Sequence, residues 1–239
     1  MVGEFLEFSV AARPLSASYE FYGALGFVSL RVGDALTHPY VVLFDGSVAM
    51  GLHDRDQDGV SLTFVRPKLA DYARGLRRLG IQPESAFLAD NEFNRLSFLD
   101  PSGQSITLLE ARTFPPGEWN RQNVAACGQF LEYSLPTSAL ERSQSFWQAL
   151  GFTTLAEGDA PHAWVRLEGH GLVVGLHEAH FRAGLSFRSA QLEARLEYLH
   201  ARGIGARAGT PIADRAQASA TLTAPEGTSI YLFEAGSQQ

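Results

Sequence analysis

From Glu4 to Val10 the chain alternates, with Phe5, Glu7 and Ser9 on one side and Leu6, Phe8 and Val10 on the other, the two-residue period of a strand. The second set is the more apolar and predicts the core face. From Leu15 the period lengthens: Leu15, Tyr19, Tyr22 and Leu25 recur every three or four residues, one stripe of a helix, and Gly26 ends it as a glycine just past a helix C-terminus does. Three short strands are predicted next, near Val28 to Val32, Tyr40 to Phe44 and Val48 to His53, with Asp45-Gly46 turning the last pair into a hairpin. The order is β-α-β-β-β.

The same grammar then restarts. Val60 to Val65 reads as a strand, and Leu69, Tyr72, Ala73, Leu76 and Leu79 form a helical stripe stopped by Gly80. Phe87-Leu88 is a short strand within a long loop, and Arg95 to Leu99 and Ser105 to Ala111 are strands joined by the turn Asp100-Pro101-Ser102-Gly103. Residues 113–125, with Pro115-Pro116-Gly117, fit neither period and read as a linker. Beyond it come a strand at Gln129 to Leu135, a helix at Ala139 to Leu150, strands to His177, a strand at Leu185 to Arg188, a helix at Leu192 to Arg202 and strands to Ala235.

The second half is a rewriting of the first. GEFLEFSV at residue 3 returns as GQFLEYSL at residue 128, and FYGALGF returns as FWQALGF, an offset of 125. The closing turn returns as Ala224-Pro225-Glu226-Gly227 with an offset of 124, as loops differing by one residue produce. Two domains are therefore expected, residues 1–112 and 126–239, joined by 113–125, each long enough to bury its own core. The predicted class is α+β, four βαβββ modules forming two tandem cupped-sheet domains.

Composition narrows the function. Nineteen basic against 26 acidic residues give a net charge of −7, Lys68 is the only lysine, and no basic run is present, which argues against a nucleic-acid surface. No stretch approaches the roughly 20 apolar residues of a membrane span, and the N-terminus shows no basic region followed by an apolar one, so a cytoplasmic protein is expected. Cys127 is the single cysteine and lacks a His or basic neighbour in sequence that would make it a reactive thiolate. No phosphate-cradling glycine loop, nucleophile elbow or zinc-type Cys/His cluster is found.

The four modules, with FYGALGF, DPSGQSITLLE, FWQALGF and PEGTSIYLFE, resemble the vicinal oxygen chelate superfamily, the group of glyoxalase I, bleomycin-resistance proteins, fosfomycin-resistance transferases and extradiol dioxygenases. The resemblance covers nearly the whole chain and implies that each half forms a cupped sheet with helices outside and a ligand cavity on its concave face. It also implies where metal ligands would lie. The first-strand ligand maps to Glu7 and Glu132, the second to Val60 and Leu185, the carboxylate of the last strand to Thr107 and Tyr231, and a further fourth-strand ligand to Gly51 and Gly175. Glu110 and Glu234 are carboxylates three residues further on, but alternation puts them on the opposite face. One ligand survives in each half, so no metal cofactor is expected; the alternative is a divalent ion at a displaced site where Glu7 meets His53 or Glu132 meets His177.

The remaining candidates follow from that map. An inward, buried Glu needs a partner, either a ligand group or a structural Arg or His. His53 and His177, in matching VAMGLH and LVVGLH runs, could orient the Glu or shuttle a proton, or be hydrogen-bonded strand-end residues. His38 and His162 precede Tyr40 and Trp164 and read as turn histidines or as gates at a pocket mouth. Phe5, Phe130, Leu109 and Phe233 are expected to share faces with these residues and supply apolar walls, the alternative being plain core packing.

The function expected is therefore a metal-independent small-molecule-binding protein of the glyoxalase and bleomycin-resistance type, with an organic ligand in the cup of one or both domains. The ligand-binding candidates are Phe5, Glu7, His53, Thr107, Leu109, Phe130, Glu132, His177, Tyr231 and Phe233. The inward glutamates and acidic balance favour a partly aromatic, positively charged ligand. The alternatives are a lyase, isomerase or dioxygenase with a displaced metal, or a metal-free acid–base enzyme using Glu7, His53, Glu132 and His177. Partners expected are a small organic molecule and, as an open option, a second copy in a homodimer, with neither nucleic acid nor membrane.

Overall fold

In a computed structural model the chain is described at residues 1–31, 38–89, 93–111, 125–213 and 218–235. The expected linker, residues 113–125, lies outside these apart from Ala125. The first half runs β1 (Glu4–Ala11), α1 (Leu15–Ala24), β2 (Val28–Leu30), β3 (Tyr40–Phe44), β4 (Ala49–His53), β5 (Val60–Arg66), α2 (Leu69–Arg78), β6 (Ser85–Phe87), β7 (Arg95–Leu99) and β8 (Ser105–Glu110). The second half repeats it as β9 (Gln129–Pro136), α3 (Leu140–Ala149), β10 (Thr153–Gly158), β11 (Trp164–Gly169), β12 (Leu172–His177), β13 (Gly184–Ser189), α4 (Leu192–His200), β14 (Arg207–Ala208), β15 (Ser219–Thr223) and β16 (Ser229–Glu234).

Each half builds one eight-stranded mixed sheet, ordered β2-β3-β4-β1-β5-β8-β7-β6 and β10-β11-β12-β9-β13-β16-β15-β14. β1 pairs parallel to β4 and antiparallel to β5, so it sits at the centre and its residues face the middle of the sheet. One face of each sheet is covered by helices and joins a single core running through both halves. Phe8 stacks on Tyr133 across the halves with centroids 5.1 Å apart. Phe64, Phe98, Leu76, Trp147 and Phe187 are fully buried in the same core. Burying such apolar surface is the main favourable term in folding. No helix among the described residues covers the other face of either sheet.

Two details depart from the sequence pattern. The β1–β5 register slips between Phe5 and Glu7, and the β9–β13 register slips between Ser186 and Phe187, opposite Glu132 and Phe130. A bulge of this kind breaks strict alternation. Phe5 therefore contacts Phe8 and Phe64, and Phe130 contacts Phe8 and Phe187, all on the core side. Leu6 is only partly buried. In α1 the inward stripe takes Ser18 in place of Tyr19, which is 43% exposed. Ser18 Oγ and Tyr22 Oη donate to the two carboxylate oxygens of Glu226 at 2.6 and 2.7 Å. In the reverse direction Trp147 Nε1 of α3 donates to Asp100 Oδ2 at 3.3 Å. The closing turn of each half thus receives hydrogen bonds from a helix of the other half.

Candidate functional site

The helix-free faces carry Glu7 and Glu132. Glu7 is 4% exposed and Glu132 1%, so both carboxylates need internal partners. In the first half Oε1 of Glu7 accepts from Ser9 Oγ at 2.7 Å and from His53 Nε2 at 2.8 Å. With its proton directed at Glu7, Ser9 accepts from Thr63 Oγ1 at 2.7 Å. In the second half Oε1 of Glu132 accepts from Ser134 Oγ at 2.8 Å and His177 Nε2 at 2.6 Å, while Oε2 accepts from Arg166 Nε at 2.6 Å. Burial would raise the Glu132 pKa, but the hydrogen bond and charge of His177, with those of Arg166, outweigh it and hold it down to about 2.

Each histidine passes the contact on. His53 Nδ1 lies 3.0 Å from His38 Nε2, and His177 Nδ1 lies 3.1 Å from His162 Nε2. When the inner histidine is neutral, its Nε2–H on the carboxylate leaves Nδ1 to accept from the outer histidine; when it is protonated it donates through both nitrogens, and in either form each half holds a Glu–His–His chain. His38 and His162 are held below the usual histidine pKa, first by desolvation and then by the neighbouring His53 and His177. The hairpin places them: Tyr40 pairs with His53 and Trp164 with His177, so a histidine two residues earlier reaches over the end of the strand. The turn reading of His38 and His162 misses this; the signal available was the matched spacing of both histidine pairs.

Glycine makes room for the carboxylates. A Cβ built on Gly51 would fall on the carboxylate of Glu7, and one on Gly175 on that of Glu132. The place of the fourth-strand ligand is thus filled by the glutamate itself. Around it, Ser61 Oγ lies 2.8 Å from Thr107 Oγ1 and 3.2 Å from Ser105 Oγ, a hydroxyl-rich floor. The apolar wall of the first face is a separate cluster of Val42, Phe44 and Ala49 with Leu30 and Tyr40. Thr107 and Leu109, partly exposed, stand on the same face in β8, beyond β1 and β5. Tyr40 stacks on His53, with rings 7° from parallel.

The second face is filled from within. Ile212, Tyr231 and Phe233 form a buried cluster with Phe181 and Ala213, and Tyr231 Oη donates to the carbonyl of Arg182. Tyr231 and Phe233 are 2% and 7% exposed, where Thr107 and Leu109 leave room in the first half. The structure thus brings Glu7, His53, Thr107 and Leu109 to one face and Glu132, His177, Tyr231 and Phe233 to the other. Phe5 and Phe130, expected as walls beside the glutamates, are turned by the bulges to the core and leave both sets.

Glu110 and Glu234 stand on the helix side as alternation requires: Glu110 Oε1 accepts from Leu69 N at 3.4 Å and Glu234 Oε2 from Leu192 N at 2.8 Å, at the first residues of α2 and α4. Cys127 is buried, and burial pushes its thiol up to about 12, which suits a core residue and not a nucleophile. A cleft of about 700 Å3 between the halves is lined by Val10, Gly59, Gln104, Tyr133, Arg182 and Thr228 among others, and takes in none of the predicted ligand-binding residues.

No family model and no curated protein sequence matches the chain. Solved structures do. A catechol 2,3-dioxygenase matches with a TM-score of 0.60 and 16% identity over 100% of this chain and 91% of the other. The 2,3-dioxygenase LapB from Pseudomonas sp. KL28 gives 0.63 and 15% over 100% and 95%. An extradiol ring-cleaving dioxygenase from B. fuscum gives 0.65 and 14% over 100% and 72%. The chain therefore has the fold of the extradiol dioxygenases, that of the vicinal oxygen chelate superfamily, in two tandem sheet domains.

The residues present do not fit the divalent ion that this fold implies. Val60, Leu185 and Thr107 stand at three of the mapped ligand positions, and Tyr231 at a fourth has its hydroxyl bonded to a backbone carbonyl. Oε2 of Glu132 is taken by a guanidinium, a cation in the place of a metal. His53 and His177 use both ring nitrogens on protein partners. Among the described residues no three His, Cys, Asp or Glu side chains are grouped as metal ligands.

Proposed function

We propose that the protein binds a small organic molecule on the helix-free face of its first half, without using the metal site of the fold. The observation that carries this reading is the difference between the two faces. In the first, an apolar cluster of Val42, Phe44 and Ala49 adjoins a floor of hydroxyls and a carboxylate, the mixed lining that small-molecule pockets have. In the second, Tyr231 and Phe233 stand where Thr107 and Leu109 do in the first and pack with Ile212, and Arg166 stands where Val42 does. Proteins of this fold are named for catechol and homoprotocatechuate, small aromatic molecules, which supports a ligand of that size. Metal independence rests on the donors: Glu7 and His53 bond each other, and Val60 and Thr107 supply no replacement ligand of the usual kind.

A second reading is supported by the Glu–His–His chain. In the first half a proton taken up at His38 Nδ1 can be balanced by passing the Nε2 proton to His53 Nδ1 and the His53 Nε2 proton to Glu7, a general-base relay made only of side chains. A neutral His38 is the form such a base needs, and its depressed pKa keeps it neutral near pH 7. On this reading the protein is a metal-free acid–base enzyme acting on the same bound molecule. No helix among the described residues is long and apolar enough to cross a membrane.

The test is a ligand-observed NMR screen of small aromatics on chelator-treated protein, repeated with Thr107→Trp, which fills the first face, and with Ala213→Trp at the second. Binding lost in Thr107→Trp and kept in Ala213→Trp supports the reading. Binding kept in Thr107→Trp refutes it.

A further inference from the structure

Resting on the reading that the first face is the ligand site, we propose that its ligand is an organic cation, a guanidinium or amidinium head on a short apolar body, whose N–H groups donate to Oε2 of Glu7. The second half holds the pattern for it. There Arg166 fills, as part of the chain, the place that the ligand takes in the first half.

The two glutamates are set in the same pose. Each carboxylate lies over its glycine, Gly51 or Gly175, with Oε1 nearest the place of an added Cβ, then Cδ, then Oε2. Each Oε1 accepts from the serine two residues on, Ser9 or Ser134, and from the histidine that ends the neighbouring strand, His53 or His177. The two Oε2 atoms differ. That of Glu132 accepts from Arg166 Nε at 2.6 Å. That of Glu7 has no hydrogen-bond partner among the described residues, although Glu7 is only 4% exposed. Nor is it sealed from solvent, as the partnerless Oδ2 of Asp45 is. A carboxylate oxygen taken out of bulk water without a donor costs free energy, which a donor supplied from outside recovers.

The missing donor has an address. Arg166 stands across its hairpin from Gly175, and Val42 stands across the matching hairpin from Gly51. Valine ends at its γ-carbons where arginine reaches on to a guanidinium, so the first half keeps the carboxylate and the stem-like apolar wall and lacks the head. The chain sends no other cation there. His53 is the only basic side chain among the described residues that bonds Glu7, and Arg55, two residues beyond it, donates through Nη2 to Gln57 Oε1 at 2.6 Å. The histidine does not exclude a second cation either, because Glu132 holds His177 and Arg166 together, one on each oxygen.

The class of ligand follows from those neighbours. A planar cation with several N–H donors fits a carboxylate oxygen as Arg166 does. Its body then runs along Val42 and the cluster that Val42 forms with Ala49 and Leu30. The positive charge expected from the inward glutamates thus gains an atom to act on, and an aromatic body is not required.

The experiment compares an isosteric pair, butylguanidinium and the neutral butylurea, by NMR titration of the full chain up to about 10 mM, where millimolar binders register. All titrations share one ionic strength, so that attraction to the net charge of −7 is screened equally. Butylguanidinium is expected to bind at least about tenfold tighter than butylurea, the scale of one charge-assisted hydrogen bond. Glu7→Gln, which can keep an acceptor for Ser9 and His53 while placing an NH2 donor at the Oε2 position, should remove that preference. Val42→Arg, which writes the arginine of the second half into the first, should remove it too by bonding Glu7 from within. Each variant is melted, and where Val42→Arg does not fold Glu7→Gln carries the test. A preference that survives Glu7→Gln in folded protein would overturn the inference. Guanidinium and urea binding equally, both lost in Thr107→Trp, would overturn the cation and leave the ligand face standing. No perturbation by butylguanidinium across the titration would also overturn the cation, and the screen of small aromatics then decides the face by itself.

Discussion

Arg166 donates through Nε to Glu132 at 2.6 Å, and the residue at the matching place in the first half is Val42: each stands across a hairpin from a glycine, Gly175 and Gly51. The same buried glutamate is thus locked by a cation in one half and left beside an apolar wall in the other. Because Glu132 is almost fully buried, removing Arg166 leaves Oε2 unpaired and the charge to His177 and Ser134 alone. Arg166→Ala is expected to lower unfolding free energy by on the order of 3 kcal/mol, measured by urea denaturation at pH 7, whereas Val42→Ala should cost about 1 kcal/mol, the scale of a small core truncation.

The same lock predicts the acid limb of stability. The folded Glu132 pKa is depressed to about 2 from 4.5, so its contribution is complete above the ordinary carboxylate range. It is lost as pH falls through the folded value, where the group protonates in both states. Urea midpoints measured between about pH 7 and pH 2.5 should fall less steeply in Glu132→Gln than in the parent; identical slopes would place the acid sensitivity elsewhere.

Gly51 and Gly175 are required by space and not by backbone angle, since neither has a positive φ and each would put a Cβ onto a glutamate carboxylate. Gly51→Ala and Gly175→Ala should each destabilise by about 2 kcal/mol. Gly51→Ala combined with Glu7→Ala should recover part of that loss, because the second change removes the atoms that clash. A double-mutant cycle reads this directly as a favourable coupling.

The halves should unfold together. One core spans both sheets, and Ser18 and Tyr22 of α1 hold Glu226 of the other half. Tyr22→Phe removes one charge-assisted bond and is expected to cost about 2 kcal/mol, with Trp147 fluorescence and far-ultraviolet circular dichroism still giving coincident transitions. Separated transitions would show the halves to be independent.

Much of this architecture is legible in the sequence, and what is not has a physical reason. The order of strands and helices follows from the change between two-residue and 3.6-residue periods, which local residues set. The inward direction of Glu7 follows from the same alternation. Phe5 does not, because a bulge is fixed by pairing with β5, where its partner Phe64 lies 59 residues away and alternation within β1 cannot reveal it. Ser18 took an inward place that hydropathy assigns to Tyr19, since its partner is a carboxylate in the opposite half. His38 and His53 come from separate stretches and meet only once the β3–β4 hairpin is formed. The need of Glu132 for a cation was readable; that Arg166 supplies it depended on the register of the β11–β12 hairpin.

The central claim, that the first face holds its ligand without a metal, is tested most directly by calorimetric titration of an aromatic ligand found in the screen into metal-stripped protein before and after one equivalent of Fe2+ or Mn2+. The account predicts dissociation constants that agree within about twofold, well inside the 1.4 kcal/mol that a tenfold change represents. Binding that appears only after the metal is added would contradict it.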